Sequence, residues 1–160
     1  MLISYIVVAV AITQLPVNLP LSYRGFKDIS FSFTPFYCIR NVVRIINSII
    51  AECLPLKSYL FSVLKDHLQN LILNILLFIP FGFLLTVNLR KSNVLEVMLG
   101  SFLFSLSLEI LQVIEMMFSL TLVRVFDIDD IIANTIGGIF GFVFAVLFSK
   151  IKERRPNQAV

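Results

Sequence analysis

Three long apolar runs, at about 68–89, 94–118 and 128–151, constrain this chain more than any other feature. A helix needs about 20 mostly apolar residues to cross a bilayer's hydrocarbon core, and each run reaches that length. A weaker run at about 2–21 is interrupted by Pro16 and Pro20. No Lys or Arg precedes it and it lacks a small-x-small cleavage site, so it reads as a retained helix rather than a signal peptide. The expected fold class is all-α: a multi-pass transmembrane helical bundle of about four helices, in one domain over 1–160.

Composition agrees. The chain is 58% hydrophobic and 14% charged, with a mean hydropathy of +0.94, against about 45–50% apolar residues in soluble domains. The net charge of +3 and pI near 9.0 raise the question of nucleic acid. No clustered basic face with interleaved aromatics exists, however, so the partner is the bilayer and not a nucleic acid. The basic residues track topology instead. Arg90 and Lys91 fill a short turn, and Lys150, Lys152, Arg154 and Arg155 crowd the end of the last run, a density that places both ends of the chain in the cytoplasm. The long segment at about 22–67 then lies outside, although Arg24, Lys27, Arg40, Arg44, Lys57 and Lys65 are scattered through it. Sixteen phenylalanines suit lipid-facing packing, and with no tryptophan only Tyr5, Tyr23, Tyr37 and Tyr59 are candidates for an interfacial belt.

Within the long segment, IRNVVRIINSII places apolar residues at Ile39, Val42, Val43, Ile45, Ile46, Ile49 and Ile50 with charge at Arg40 and Arg44. That pattern fits an interfacial amphipathic helix, with a re-entrant segment as the open alternative. Cys38 and Cys53 both fall here; a disulfide is open to them if the loop is extracytoplasmic, and two free thiols are the commoner case. Their spacing matches no metal site.

Polar residues interrupt the apolar runs at one common depth. At about 1.5 Å of rise per residue, Asn74, Glu109 with Gln112, and Asn134 all lie near the outer ends of their helices. Residues three or four apart share a helix face. His67, Asn70 and Asn74 therefore form one stripe, Ser101, Ser105, Glu109, Gln112 and Glu115 a second, and Asp130, Asn134, Gly137 and Gly141 a third. An acid within a span costs about 3 kcal/mol in insertion experiments, and such residues face the bundle and mark functional sites. Glu109 needs a partner, with Arg124 the first candidate and His67 the second, or a hydrogen-bonded neutral state beside Gln112 or Asn134.

Plainer roles compete. Gly137 and Gly141 make a GxxxG that lets helices approach closely. Pro80 and Gly82 bend or loosen their helix, Asp127, Asp129 and Asp130 suit a helix N-terminus, and His67 reads as an ordinary interfacial residue. Zinc chemistry needs several His or Cys ligands, and the chain has one His. Ser101 and Ser105 share the face of Glu109, but no histidine accompanies them as base. The reading leans away from an enzyme, and neither metal nor cofactor is expected.

Three blocks, NLILNILLFIPFGFLL, SLEILQ and RVFDIDDIIANTIGGIFG, resemble the VanZ-like family of bacterial membrane proteins in order and spacing, over about 66–142. The likeness falls on Asn74, Pro80, Gly82, Glu109, Gln112, Arg124, Asp127, Asp130, Asn134, Gly137 and Gly141. SFTPF at 32–36 is similar to the family's N-L-x-P-F block, with Ser32 where Asn is usual. The resemblance implies a bacterial inner-membrane protein of the cell envelope with a role in low-level resistance to teicoplanin-type glycopeptides. Its outward-facing polar cluster would bind or alter an envelope component, such as a lipid-linked precursor or an amphiphilic glycopeptide. Two alternatives stand beside this. One is an enzyme acting on a lipid-linked substrate, with Glu109 as acid or base and Asp127 and Asp130 as metal ligands; the other is a scaffold whose cluster only locks the bundle.

Overall fold

The computed structural model describes residues 1–14, 30–35, 40, 43–44, 47, 57–89, 93–118 and 125–154. In chain order these form helix α1 (Leu2–Gln14), strand β1 (Ser30–Ser32), helix α2 (Lys57–Asn88), helix α3 (Val94–Phe118), strand β2 (Val125–Asp127) and helix α4 (Ile128–Arg154).

Among the described residues, three helical stretches are long and apolar enough to cross a membrane: Leu68–Asn88 within α2, Val94–Phe118, and Ile128–Lys152 within α4. The fourth expected span is represented by α1, whose 13 residues reach only about 20 Å at 1.5 Å per residue. Residues 15–21, with Pro16 and Pro20, lie outside the described residues. Helix α2 begins well before its apolar run, because Lys57, Lys65 and Asp66 break the hydrophobic pattern without breaking helix propensity.

Local signals explain where two helices start. Asn93 caps α3 through a reciprocal pair, in which the Glu96 N–H donates to Asn93 Oδ1 at 2.9 Å and the Asn93 N–H donates to Glu96 Oε2 at 3.3 Å. Asp127 caps α4 by a single bond, its Oδ1 accepting the Asp129 N–H at 3.0 Å.

Packing of the bundle uses two kinds of contact. Helices α2 and α4 meet most extensively, and they meet through backbone. A methyl group placed on Gly82 would overlap the carbonyl of Gly138, and one on Gly137 or Gly141 would overlap the carbonyl of Ile75 or Ile79. Where lipid surrounds the helices, no hydrophobic force pulls them together, so close backbone approach of this kind supplies the attraction. On the other side of α2, Phe78, Phe81 and Leu108 are buried with Phe104 against them. The Phe81 and Phe104 rings stack at 4.7 Å. Helix α1 lies over this cluster with Leu2, Tyr5, Ile6 and Val10. The Tyr5 hydroxyl donates to the Leu77 carbonyl, and Gln14 Nε2 donates to that of Leu108 at 3.5 Å. Exposed Ile72, Leu76, Leu99, Leu103, Phe144 and Leu147 cover the outside of the bundle, a surface suited to lipid and not to water.

One element departs from the all-α expectation. Strands β1 and β2 pair in parallel, with Ser30 opposite Val125, Phe31 opposite Phe126 and Ser32 opposite Asp127. Phe31, Phe33 and Phe126 cluster there, with ring centroids 5.6–6.0 Å apart. Of the expected amphipathic helix, Arg40, Val43, Arg44 and Asn47 are helical and exposed. Their spacing puts them on one face, and Arg40 Nη2 reaches back to the Pro35 carbonyl at 3.4 Å. The other apolar residues of that segment, together with Cys38, Cys53, Arg90 and Lys91, lie outside the described residues.

Candidate functional site

The polar stripes converge at the end of the bundle where α2 enters its apolar run, α3 approaches its C-terminus and α4 begins. Glu109 is buried, with 3% of its surface exposed, and its Oε2 accepts the backbone N–H of Asp127 at 3.3 Å. A carboxylate so placed bridges the body of α3 to the strand that opens α4. Asp127 therefore holds both sides of the junction: its N–H meets Glu109 and its side chain caps α4.

Deeper by two turns, Asn134 is 5% exposed and donates from Nδ2 to Ser105 Oγ at 2.8 Å. Among the described residues, buried Asn134 Oδ1 accepts no hydrogen bond and fully buried Ser101 Oγ has no partner. On the α2 side, Asn70 Nδ2 donates to Asp130 Oδ1 at 2.9 Å. Asn74 stands beside the same carboxylate, its buried amide directed at Asp130. Gln112 sits half-buried just beyond Glu109 toward the helix end. Arg124 and the side chain of His67 lie outside the described residues, so the expected ion pair to Glu109 does too.

Pro80 faces outward from α2, whereas Gly82, Gly137 and Gly141 belong to the backbone contact between α2 and α4. Three contributors escaped the candidate site drawn from sequence. Gly138 is the partner of Gly82, a role visible only once the helices are docked. Ser105 was placed on the right face, yet its bond to Asn134 could not be read from one helix. Ser32 arrives beside Asp127 through the strand pair, and its only sequence signal was the SFTPF block. Among the described residues, no three His, Cys, Asp or Glu side chains are grouped to hold a metal ion. Asp127 and Asp130 are instead engaged by a helix N–H and an asparagine amide.

Helices of this length and apolarity, closed around polar side chains at one end, make the chain a multi-pass α-helical membrane protein. Its family follows from comparison with known proteins. The VanZ/LLP1 family profile matches residues 2–149, and the chain belongs to that family. It is 34% identical over 94 residues to Protein VanZ of Enterococcus faecium, a match covering 59% of this chain and 55% of the relative. The chain thus spans about half the length of the curated relative it matches. No solved structure matches it significantly.

Proposed function

We propose that this is a bacterial inner-membrane protein of the cell envelope, with both ends cytoplasmic, whose outward-facing polar cluster binds an envelope amphiphile and thereby lowers susceptibility to teicoplanin-type glycopeptides. Glu109, Asp127, Asp130, Asn74, Asn134 and Gln112 form the described part of that cluster, and Arg124 belongs to it by its place in the family motif.

The observation that carries the reading is the unfilled acceptor Asn134 Oδ1, buried on a helix that crosses the membrane. Natural structures satisfy more than about 90% of buried polar groups, and an exception calls for a missing ion, water or ligand group. A purely structural cluster would gain more from apolar side chains at this depth, since unpaired polar atoms are costly away from water. A bound water would satisfy Asn134 in a scaffold, so the support for binding lies in keeping several polar side chains together at a depth where apolar ones would pack better. Binding is favoured over catalysis because Asp127 and Asp130 already serve as cap and amide acceptor.

The test is genetic and quantitative. Glu109→Gln and Arg124→Gln variants are expected to accumulate in the membrane at wild-type levels, measured by immunoblot, while losing glycopeptide tolerance. Variants that fail to accumulate would instead support the scaffold, and variants that keep full tolerance would remove the cluster from the function altogether.

A further inference from the structure

Helix α4 presents Gly137 and Gly141 to α2, and helical periodicity turns Ile128, Ile132 and Thr135 to the opposite side. There, together with Phe102 and Leu106 of α3 and the rings of Phe33 and Phe126, they line a groove of about 440 Å³. Ligand pockets commonly run from about 300 to 1,000 Å³, so the groove is of ligand size. Its lining is wholly apolar. Even Thr135 conforms, because its hydroxyl is spent on the Ile131 carbonyl at 2.8 Å.

Depth identifies what can fill it. The groove runs along α4 from Ile128, the first residue of the helix, to Ile136, which is about 12 Å of descent at 1.5 Å per residue. It therefore opens at the bilayer surface and continues into hydrocarbon. Its mouth is bounded by Phe126, and the next residue, Asp127, holds the polar junction with Glu109. The strand pair supplies the rim, with Phe33 and Phe126 at 5.6 Å. An apolar channel that ends beside polar groups at the membrane surface has the two-part chemistry of an amphiphile.

We propose that this groove seats a single hydrocarbon chain of a membrane amphiphile, with the amphiphile's headgroup at the polar rim beside Asp127. The assignment deepens the function above and rests on it only for the headgroup. Unlike the bulk lipid that coats Phe144 or Leu147, this chain is flanked by two helices and the aromatic rim, in a groove that stays open to lipid along Phe102, itself 42% exposed. It should therefore exchange slowly and bind saturably.

The absence of tryptophan from the chain makes the test direct. Phe102→Trp places a sole indole in the groove, with Leu106→Trp as a second placement, and Phe144→Trp places one on the outer face of α4, where Phe144 is 51% exposed. The full-length variants, purified in detergent, are titrated with phosphatidylcholine brominated on its acyl chains. The groove tryptophan is expected to be quenched saturably, with a midpoint about tenfold below that of Phe144→Trp, equivalent to about 1.4 kcal/mol. Adding Thr135→Phe, which fills the groove, should abolish that difference. Superimposed curves from the groove and outer positions, in both groove placements, would overturn the proposal by showing only bulk lipid there. Loss of tolerance in Glu109→Gln is read separately, so the polar cluster can fail while the groove stands, and the groove can fail while the polar cluster stands.

Discussion

Helix α4 meets its two long neighbours by different physics. Against α2 it offers Gly137 and Gly141, and the Gly138 carbonyl to Gly82, and the backbones approach until no room remains for a methyl group on Gly82, Gly137 or Gly141. Against α3 it offers Asn134 and the Asp127 junction, which join Ser105 and Glu109 through hydrogen bonds. The glycine seam is complete as it stands. The polar seam still holds Asn134 Oδ1 and Ser101 Oγ, which have no hydrogen-bond partner among the described residues. One seam builds the helix pair, and the other has capacity left for something that is not part of it.

Substitutions in the two seams should therefore separate stability from function. The largest effect is expected from Gly82→Val, whose side chain would be driven into the carbonyl of Gly138. Overpacking costs about 1–3 kcal/mol and here meets backbone that cannot turn aside, so the detergent-solubilised protein should melt well below wild type. A wild-type melting curve would show that the glycine seam is not close-packed.

A smaller loss is expected at the junction. Asp127→Ala removes the cap of α4 and should cost about 1 kcal/mol, whereas Asp127→Asn, an equally good cap, should cost almost nothing. Both leave the backbone N–H that meets Glu109 in place. If Asn proves as damaging as Ala in the same melt, the charge of Asp127 matters beyond capping, and the metal-dependent alternative gains ground.

Asn134→Ala sharpens the contrast further. Hydrogen bonds between membrane helices average about 0.6 kcal/mol, so the melt should barely move, while glycopeptide tolerance, scored by growth inhibition, should fall. A variant with unchanged tolerance would make Asn134 part of the packing alone. Ser107→Ala is the reference for no effect in either assay, because Ser107 is exposed and its hydroxyl bonds to the Leu103 carbonyl of its own helix.

Much of this organisation was legible in the residues themselves. The three apolar runs marked the spans because lipid leaves a helix no alternative, and the four-residue spacing of Ser101, Ser105 and Glu109 marked a single face. Less could be read where distant segments meet. Ser30–Ser32 and Val125–Asp127 are three-residue strands separated by two whole helices, and a parallel pair leaves no turn motif between its partners to announce it. The start of α2 was hidden for another reason: hydropathy reports where lipid lies, and a helix can extend beyond lipid into water without any change in its backbone.

By itself, then, the sequence determined that the chain carries runs long and apolar enough to cross a membrane and that Ser101, Ser105 and Glu109 share one face of a helix. Both are consequences of local physics, the solvation of side chains and the 3.6-residue turn. Only the tertiary structure decided which helix GxxxG would meet, that Asp127 would join Glu109 to the entrance of α4, and that an apolar groove would open on the far side of the same helix. Those outcomes depend on how the helices are rotated about their axes against one another. That rotation is set by summed contacts among residues far apart in the chain, which no single stretch of sequence contains.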